Sequence, residues 1–588
     1  MIQNSPDTVI VGAGAAGLLL AARLAEAGES VVVLEAGPQR STKDLVSSQI
    51  WARKLKWSGA AVEESGTHPV GHAFNAGAGT GGSAAHHYGV WLRLHPEDFS
   101  VQSDHKRSLD WPLTYTDLQP YYDRVQDSVG LSGDHQAEVW RPPGTPYPMP
   151  PLPVFAQGRI LDRGFQATGR RTSPLPLAIN SVPRNGRAPC QFDGWCDAGC
   201  PIGALANPLV TSLPRVLSAG VDIRYGAQAL RVLRDSENAK NIRALEYVQH
   251  GEHKQLTAKR FIIAAFTVQT SRLLLNSNND KQAAPGNQYD QLGRYLTTHP
   301  AGTIFGLFDD ETTPHLGVSG GQLLSHDDYA NKDQSGGFGS SQWLIANAIK
   351  PHDLLGYGTS RPDITGAALR PWLQRAAKHL ANMTLVVEDI SSSDNRVTLS
   401  DSLDDVGMPK AHTHHDIDPD AAARWQQRVE EGEEIFRAAG ATEVWHGPRV
   451  AMHIMGGTVM GSDETKSVTD EFGRVHDTDN LYVSGPSLFP SSGAVNPTFT
   501  LSALAERQAD HLLGVPLATA PHPLTPQLTD NVLSLKYPGV FGRLLGNAGV
   551  CLYTRRNGTL TKTRINKRLY DGNSSHLRAP RPNWCNPR

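Results

Sequence analysis

The sequence predicts an α/β chain in two parts, a parallel-sheet domain and a second, mostly antiparallel α+β domain. Three observations carry this. At 588 residues the chain exceeds what one compact core usually holds. Residues 7–38 read as strand, tight turn, helix, strand, the unit from which parallel sheets are built. Between 300 and 440, short alternating runs such as Thr303 to Phe308 and Met383 to Val387 are separated by Gly, Asp and Ser clusters, the mark of an antiparallel sheet.

The first unit is the most informative. Thr8-Val9-Ile10-Val11 passes straight into Gly12-Ala13-Gly14-Ala15-Ala16-Gly17, an Ala- and Leu-rich segment follows, and a second apolar run, Ser30 to Leu34, ends at Glu35. The three glycines meet three separate needs. Gly12 permits the sharp turn, Gly14 lets backbone approach a pyrophosphate, and Gly17 lets helix and strand pack closely. Glu35 stands where a carboxylate accepts hydrogen bonds from the ribose hydroxyls of an adenine dinucleotide and repels a 2′-phosphate. The domain is therefore Rossmann-like. A glycine-rich turn without ligand is the alternative, and the motif itself leaves FAD and NAD both open.

Composition excludes several classes. A net charge of -3 gives no bulk reason to invoke nucleic acid. No apolar run approaches the length of a membrane span, and the first strand starts so close to Met1 that no export signal of the chain's own is expected. That leaves a cytoplasmic chain, or one exported with a signal-bearing partner subunit. Five cysteines, three of them between 190 and 200, do not make a secreted disulfide scaffold.

Along the chain, residues 41–70 read as polar and irregular, and Gly77 to His87 forms a second glycine-rich stretch suited to backbone lying against something flat or charged. Trp111 to Leu118 reads as a loop feeding a helix capped by Thr116 or Asp117, and 139–155 as an extended surface segment. Val221 to Arg234 and Ile242 to His250 alternate like antiparallel strands, and Arg260 to Ala265 reads as a buried strand leading into a helix that ends at Leu275. Asp418 to Ala439 has a helical pattern, Asn480 to Gly485 reads as a strand ending in a glycine turn, and Thr500 to Leu513 as a closing amphipathic helix. His412-Thr413-His414-His415-Asp416 reads as a solvated strand edge rather than a metal site, and Glu388 and Asp389 as surface charges. The last stretch, 536–588, holds eleven Lys or Arg against the single acid Asp571. There Val540, Phe541, Leu544 and Leu545 fit one helix face, which suits an anionic membrane surface or an acidic partner; a solvated extension packed on the body is the alternative.

At His453-Ile454-Met455-Gly456-Gly457-Thr458-Val459-Met460-Gly461 and Asn496-Pro497-Thr498-Phe499-Thr500 the chain resembles the glucose-methanol-choline (GMC) family of FAD-dependent oxidoreductases. Gly79 to Ser83, Trp111 to Tyr122, Leu292 to Pro300 and Asn480 to Leu513 fit that pattern in order, so the likeness covers most of residues 7–515 and is strongest to bacterial sugar and polyol dehydrogenases and pyranose oxidases. The resemblance implies a GMC, p-hydroxybenzoate hydroxylase-like architecture. Its Rossmann-like FAD-binding domain would span 1–299 and 441–515, an antiparallel-sheet substrate domain 300–440, and a basic extension 516–588. It implies FAD rather than NAD, with Gly12, Gly14, Gly17, Glu35, Gly82, Ser83, His86, Ala229, Gly485 and Pro497 at the cofactor. The reaction it implies is oxidation of a CH–OH group on a sugar or polyol. His453 would be the base and Asn496, 43 positions later, would hydrogen-bond the substrate oxygen.

Two finer expectations follow from the likeness. In similar sugar oxidases a histidine four residues after the Gly-Gly pair is joined covalently to the flavin, and His86 stands at that distance from Gly82; His87, where relatives often carry Trp, departs from the pattern, and an ordinary loop histidine is the alternative. Cys190, Cys196 and Cys200, separated by five and then three residues, match the spacing on which similar dehydrogenases hold a [3Fe-4S] cluster that relays electrons to a cytochrome partner. A disulfide plus a free thiol, or three buried thiols, are the alternatives. The cysteines favour a non-oxygen acceptor. An oxidase making hydrogen peroxide, a non-redox lyase and a flavin-binding module remain as rivals.

Overall fold

The computed structural model describes residues 5–56, 58–278, 282–330 and 337–520, together with the backbone of strands at 333–334, 540–543, 550–556 and 559–565. It divides into two units, 1–520 and 521–588. In the first, a five-stranded parallel sheet has the order Leu481–Val483, Arg260–Ile263, Thr8–Val11, Val31–Glu35, Asp222–Tyr225. Its central strands are unbroken apolar runs because both faces are covered by structure: Val9, Ile10, Val33 and Leu34 have no exposed surface. The helix Ala15–Glu26 links the first two strands, and the closing helix Thr498–Leu512 packs against it.

That closing helix is not amphipathic as expected, but buried on nearly every side. It is wedged between Ala15–Glu26 and Tyr115–Val129, and its acids are neutralised there: Asp510 lies 2.8 Å from Arg23 and 2.9 Å from Arg124, and Glu506 also pairs with Arg23.

The second sheet is antiparallel. Its order is Glu443–His446, Thr297–Leu307, Leu380–Val387, Ser341–Ile345, Leu323–Ser325, Ser173–Pro174, and Val450–Met455 also pairs with Thr297–Leu307. It thus takes strands from either side of the 300–440 segment. Side chains alternate between its faces. Ile304, Trp343, Ile345, Met383 and Leu385 pack with Phe165, Trp425, Val429 and Phe436 of the helices Ala156–Ala167 and Pro419–Ala438. The intervening Thr303, Leu344, Asn382, Thr384 and Val386 face a cavity.

Several local expectations are corrected. Val221 to Arg234 is two strands, one at the edge of the parallel sheet and one, Ala227–Arg234, antiparallel to Ile242–Gln249; Gly226, with φ of 61°, turns the chain between them. Residues 41–70 contain a helix, Gln49–Lys56, and a strand, Val62–Ser65. Thr114, not Thr116 or Asp117, begins the Tyr115–Val129 helix, and Asp117 Oδ2 accepts from the Thr114 N–H at 2.8 Å, a reach-back that a Thr-x-x-Asp sequence supplies. The strand Pro409–His414 lies between Arg396–Leu403 and Val62–Ser65 and is no edge. Glu388 and Asp389 are buried rather than surface charges, because each finds donors: Glu388 Oε2 accepts from Ser340 N–H and Oγ–H at 2.9 and 2.7 Å, and Asp389 Oδ1 accepts from the N–H groups of Ile390 and Asp418 at 3.0 and 3.2 Å, with its Oδ2 2.9 Å from Nε2 of the fully buried His415.

In the second unit, Val540–Arg543, Val550–Arg556 and Thr559–Ile565 form a three-stranded antiparallel sheet. The 540–543 stretch is therefore a strand and not a helix face; Leu544, Leu545, Trp584 and Cys585 lie outside the described residues. The expected membrane or acidic-partner role of the basic stretch falls on side chains outside them too.

Candidate active site

A cavity of about 520 Å³ opens where the carboxyl ends of the parallel strands meet the antiparallel sheet. Gly12, Gly14, Glu35, Gly82, Ser83, His86, Ala229, Gly485, His453, Asn496 and Pro497 line it. Gly17 lies behind the wall, where a Cβ would stand 2.0 Å from the Gly12 carbonyl oxygen. Gly12 has φ of 105°, and nothing lies within 4 Å of where a Gly14 Cβ would point. The helix Ala15–Glu26 begins at Gly14 with no side-chain cap and no acid in its first turn, which leaves its terminal N–H groups for a ligand.

Glu35 is tied down more firmly than the sequence suggests. Its Oε2 accepts from the Ala13 N–H and its Oε1 from the N–H groups of Gly37 and Gly79, each at 2.8 Å. A carboxylate offers about four acceptor directions, so one remains for a ribose hydroxyl. Buried polar atoms without partners, His86 Nε2, Gln269 Nε2 and Gln49 Oε1, belong to residues lining the same cavity. A glycine turn, an uncapped helix start, a spare carboxylate direction and unpartnered polar atoms together fit a dinucleotide. Burial, with the Lys56 cation beside it, holds the His86 pKa at about 3, so the ring is neutral.

His453 owes its position to a β-bulge. Met452 stands opposite His299 and Met455 opposite Thr297, so three steps on one strand face two on the other. Within that bulge His453 has φ of 60°, a left-handed conformation costing a non-glycine residue roughly 1–3 kcal/mol. Its Nε2 lies 3.2 Å from Asn496 Nδ2 and its Nδ1 2.9 Å from His299 Nδ1, while His299 Nε2 lies 2.9 Å from the Gly493 carbonyl oxygen. On the other side Asn496 Oδ1 accepts from Gln342 Nε2 at 3.2 Å, and Gln342 Oε1 lies 3.0 Å from His326 Nε2. Burial is the main cause that pushes the His453 pKa well below the ordinary imidazole range, with His299 adding to it; burial likewise holds His299 at about 4. A neutral imidazole beside a fixed amide at a cavity wall can accept a proton from a hydroxyl and orient its oxygen.

Sequence reasoning brings His453 and Asn496 forward but misses His299, Gln342 and His326. A signal existed: Gln342 heads the apolar run Trp343-Leu344-Ile345, and His299 sits inside the Thr297–Leu307 strand, where a polar side chain must find a buried partner.

Cys190, Cys196 and Cys200 are buried, free of disulfides and outside the cavity lining. Backbone N–H groups of Phe192 and Leu205 donate to the sulfurs of Cys190 and Cys200, each at 3.3 Å, and burial pushes the Cys190 thiol up to about 12. Among the described residues no three His, Cys, Asp or Glu side chains are gathered to hold a metal ion. The arrangement is that of three buried thiols.

The chain matches the GMC oxidoreductase family over both parts of its model, residues 7–301 and 391–505. It is 28% identical over 543 residues to the fructose dehydrogenase large subunit of Gluconobacter japonicus, covering 87% of this chain and 98% of that one. It is also 28% identical to 6'''-hydroxyparomomycin C oxidase of Streptomyces lividus, covering 85% and 90%. Among solved structures, pyridoxine 4-oxidase from Mesorbium loti superposes with a TM-score of 0.59 at 18% identity over 86% of this chain and 99% of that one, a likeness of fold. The dinucleotide cradle, the two-sheet architecture and the length of the family match agree: the chain belongs to the GMC family of FAD-dependent oxidoreductases, enzymes acting on CH–OH groups.

Proposed function

We propose that this enzyme oxidises a CH–OH group of a sugar or polyol, with His453 taking the hydroxyl proton and Asn496 orienting the hydroxyl oxygen. The observation that carries it is the pairing of a neutral, buried imidazole with a fixed amide at the wall of the cofactor cavity. The cofactor would be held by the Gly12–Gly17 turn, Glu35, Gly82, Ser83, His86, Ala229, Gly485 and Pro497. Bound FAD would accept the hydride from the carbon. The cavity face of the antiparallel sheet suits a hydroxyl-rich substrate: Thr303, Asn382 and Thr384 point into it, and Asn382 Oδ1 is buried without a partner. A fructose dehydrogenase subunit among the relatives supports the same class.

The acceptor in this reading is not oxygen, and a partner subunit receives the electrons, as the subunit name of the Gluconobacter relative suggests. An oxidase is the second reading, favoured by the Streptomyces relative, and peroxide release on turnover separates the two. His86 would carry the flavin covalently through its unpartnered Nε2. The three buried thiols, with backbone N–H donors at two of the sulfurs, offer the right donor chemistry for an iron–sulfur group, a one-electron carrier. Among the described residues their side chains are not gathered as a metal site. Iron and acid-labile sulfide assays, with colour in the acid-precipitated pellet, test both additions. The reaction itself is tested by His453→Ala, which is expected to slow flavin reduction by about 10²–10⁴-fold while leaving the flavin bound.

A further inference from the structure

We propose that His299 is a positioning residue that sets the tautomer of His453, keeping its proton on Nδ1 and leaving Nε2, the nitrogen beside Asn496, unprotonated. This rests on the reading of His453 as the base and adds what makes one of its two nitrogens the reactive one.

One partner of His299 cannot donate. The Gly493 carbonyl has no hydrogen to give, so His299 Nε2, 2.9 Å away, must carry one. That carbonyl is held in place: Ser492 Oγ donates to it at 3.0 Å, and Gly493, with φ of 52°, sits against Tyr329 and Asp98 so closely that a Cβ would stand 2.4 Å from the Tyr329 hydroxyl. His299 has no exposed surface, and burial keeps it neutral although the carboxylates of Asp98 and Glu388 lie near it. A neutral imidazole carries one N–H, so His299 Nδ1 is a bare acceptor. With that acceptor at 2.9 Å, His453 Nδ1 must be the donor, and Nε2 is left with its lone pair.

The same direction runs outward. Asn496 must turn its Nδ2 to His453 Nε2, which leaves Oδ1 to accept from Gln342 Nε2 and Gln342 Oε1 to accept from His326 Nε2. The two amides adopt these orientations, so five hydrogen bonds in series take one sense from a single backbone carbonyl. Reversing any of them would set hydrogen against hydrogen or lone pair against lone pair. His299 cannot pass a proton onward either, since its far nitrogen faces a carbonyl. For Nε2 to take a proton, the substrate hydroxyl must replace the Asn496 N–H at its lone pair, and the proton must then leave from the cavity side.

The test joins spectroscopy to kinetics on the holoenzyme. In protein labelled with 15N-histidine, the His453 signals, identified by their loss in His453→Ala, are expected to show Nδ1 protonated and Nε2 bare; Nε2 protonated would overturn the proposal whatever the kinetics. His299→Leu, which removes the acceptor, is expected to lower kcat for anaerobic flavin reduction by about 10–100-fold with KM roughly unchanged. His299→Asn, whose side-chain oxygen reaches the place of Nδ1, is expected to recover most of that loss. If His299→Leu stays within about twofold of the parent while His453→Ala is inactive, the positioning role is wrong and the base assignment stands. If His453→Ala reduces its flavin normally, the base assignment is wrong, and the 15N spectrum alone still decides the tautomer.

Discussion

Glu35 ties two parts of the fold together and keeps one acceptor direction open to the cavity. Besides one spare direction for a ribose hydroxyl, it gathers the N–H groups of Ala13, Gly37 and Gly79, joining the glycine turn to the second glycine-rich stretch. Glu35→Gln would set an amide N–H₂ against at least one of these donors. It is expected to cost about 1–3 kcal/mol of stability and to weaken cofactor binding, read by thermal melting and FAD titration of the apoprotein. A wild-type melting temperature would contradict this. Gly17→Ala is more severe, because its Cβ would stand 2.0 Å from the Gly12 carbonyl oxygen in backbone that cannot yield cheaply; loss of soluble, flavin-loaded protein is expected. At this scale the sequence was legible where chemistry is contiguous. The His453 motif and Asn496-Pro497-Thr498 can be read in one dimension. His299 and Gln342 join them only through strand register, which no local spacing encodes.

Among the elements, the closing helix Thr498–Leu512 departs most usefully from its sequence pattern. Charged positions normally mark a solvated face, yet Glu506 and Asp510 are buried against Arg23 and Arg124. Asp510→Ala would leave Arg23 and Arg124 to share Glu506 alone and is expected to cost about 1.5–3 kcal/mol, checked by urea unfolding; no measurable change would contradict it. The same helix starts at the cavity, which Asn496 and Pro497 line. The bulge at His453 is an element-scale device of the same kind: it adds one residue to a strand and so re-aims one side chain, a feature that hydrophobic periodicity cannot reveal. In the C-terminal unit the reverse holds. Asn557-Gly558 between two β-rich runs is a strong hairpin signal, and Arg556 does pair with Thr559, although the basic charge of the stretch masks that signal.

Over the whole molecule, the two sheets were legible as classes because apolar runs and alternation differ in period; of the helical cover on the far side of the antiparallel sheet, Asp418 to Ala439 was legible and Ala156–Ala167, beside a proline-rich stretch, was not. The molecule's response to acid follows from its buried histidines. His72, His87 and His299 are held near 4 and His86 and His326 near 3 by burial, against an ordinary value of 6.5. The unfolded chain therefore binds more protons than the native one between about pH 4 and 6.5, and stability rises with pH across that window. Each such histidine contributes about 1.4 kcal/mol per pH unit, present in full above 6.5 and lost as the pH falls. The melting temperature is expected to drop steeply from pH 6.5 to 5 with proton uptake on unfolding; a flat profile there would contradict the burial of neutral imidazoles.

The most direct measurement is anaerobic mixing of the flavin-loaded enzyme with fructose and a panel of sugars and polyols, following flavin absorbance in the parent and in His453→Ala. Bleaching by at least one of these alcohols in the parent, slowed by about 10²-fold or more in the variant with its flavin retained, is the expected result. An oxidised flavin that no alcohol bleaches, or a variant that bleaches as fast as the parent, would contradict the account.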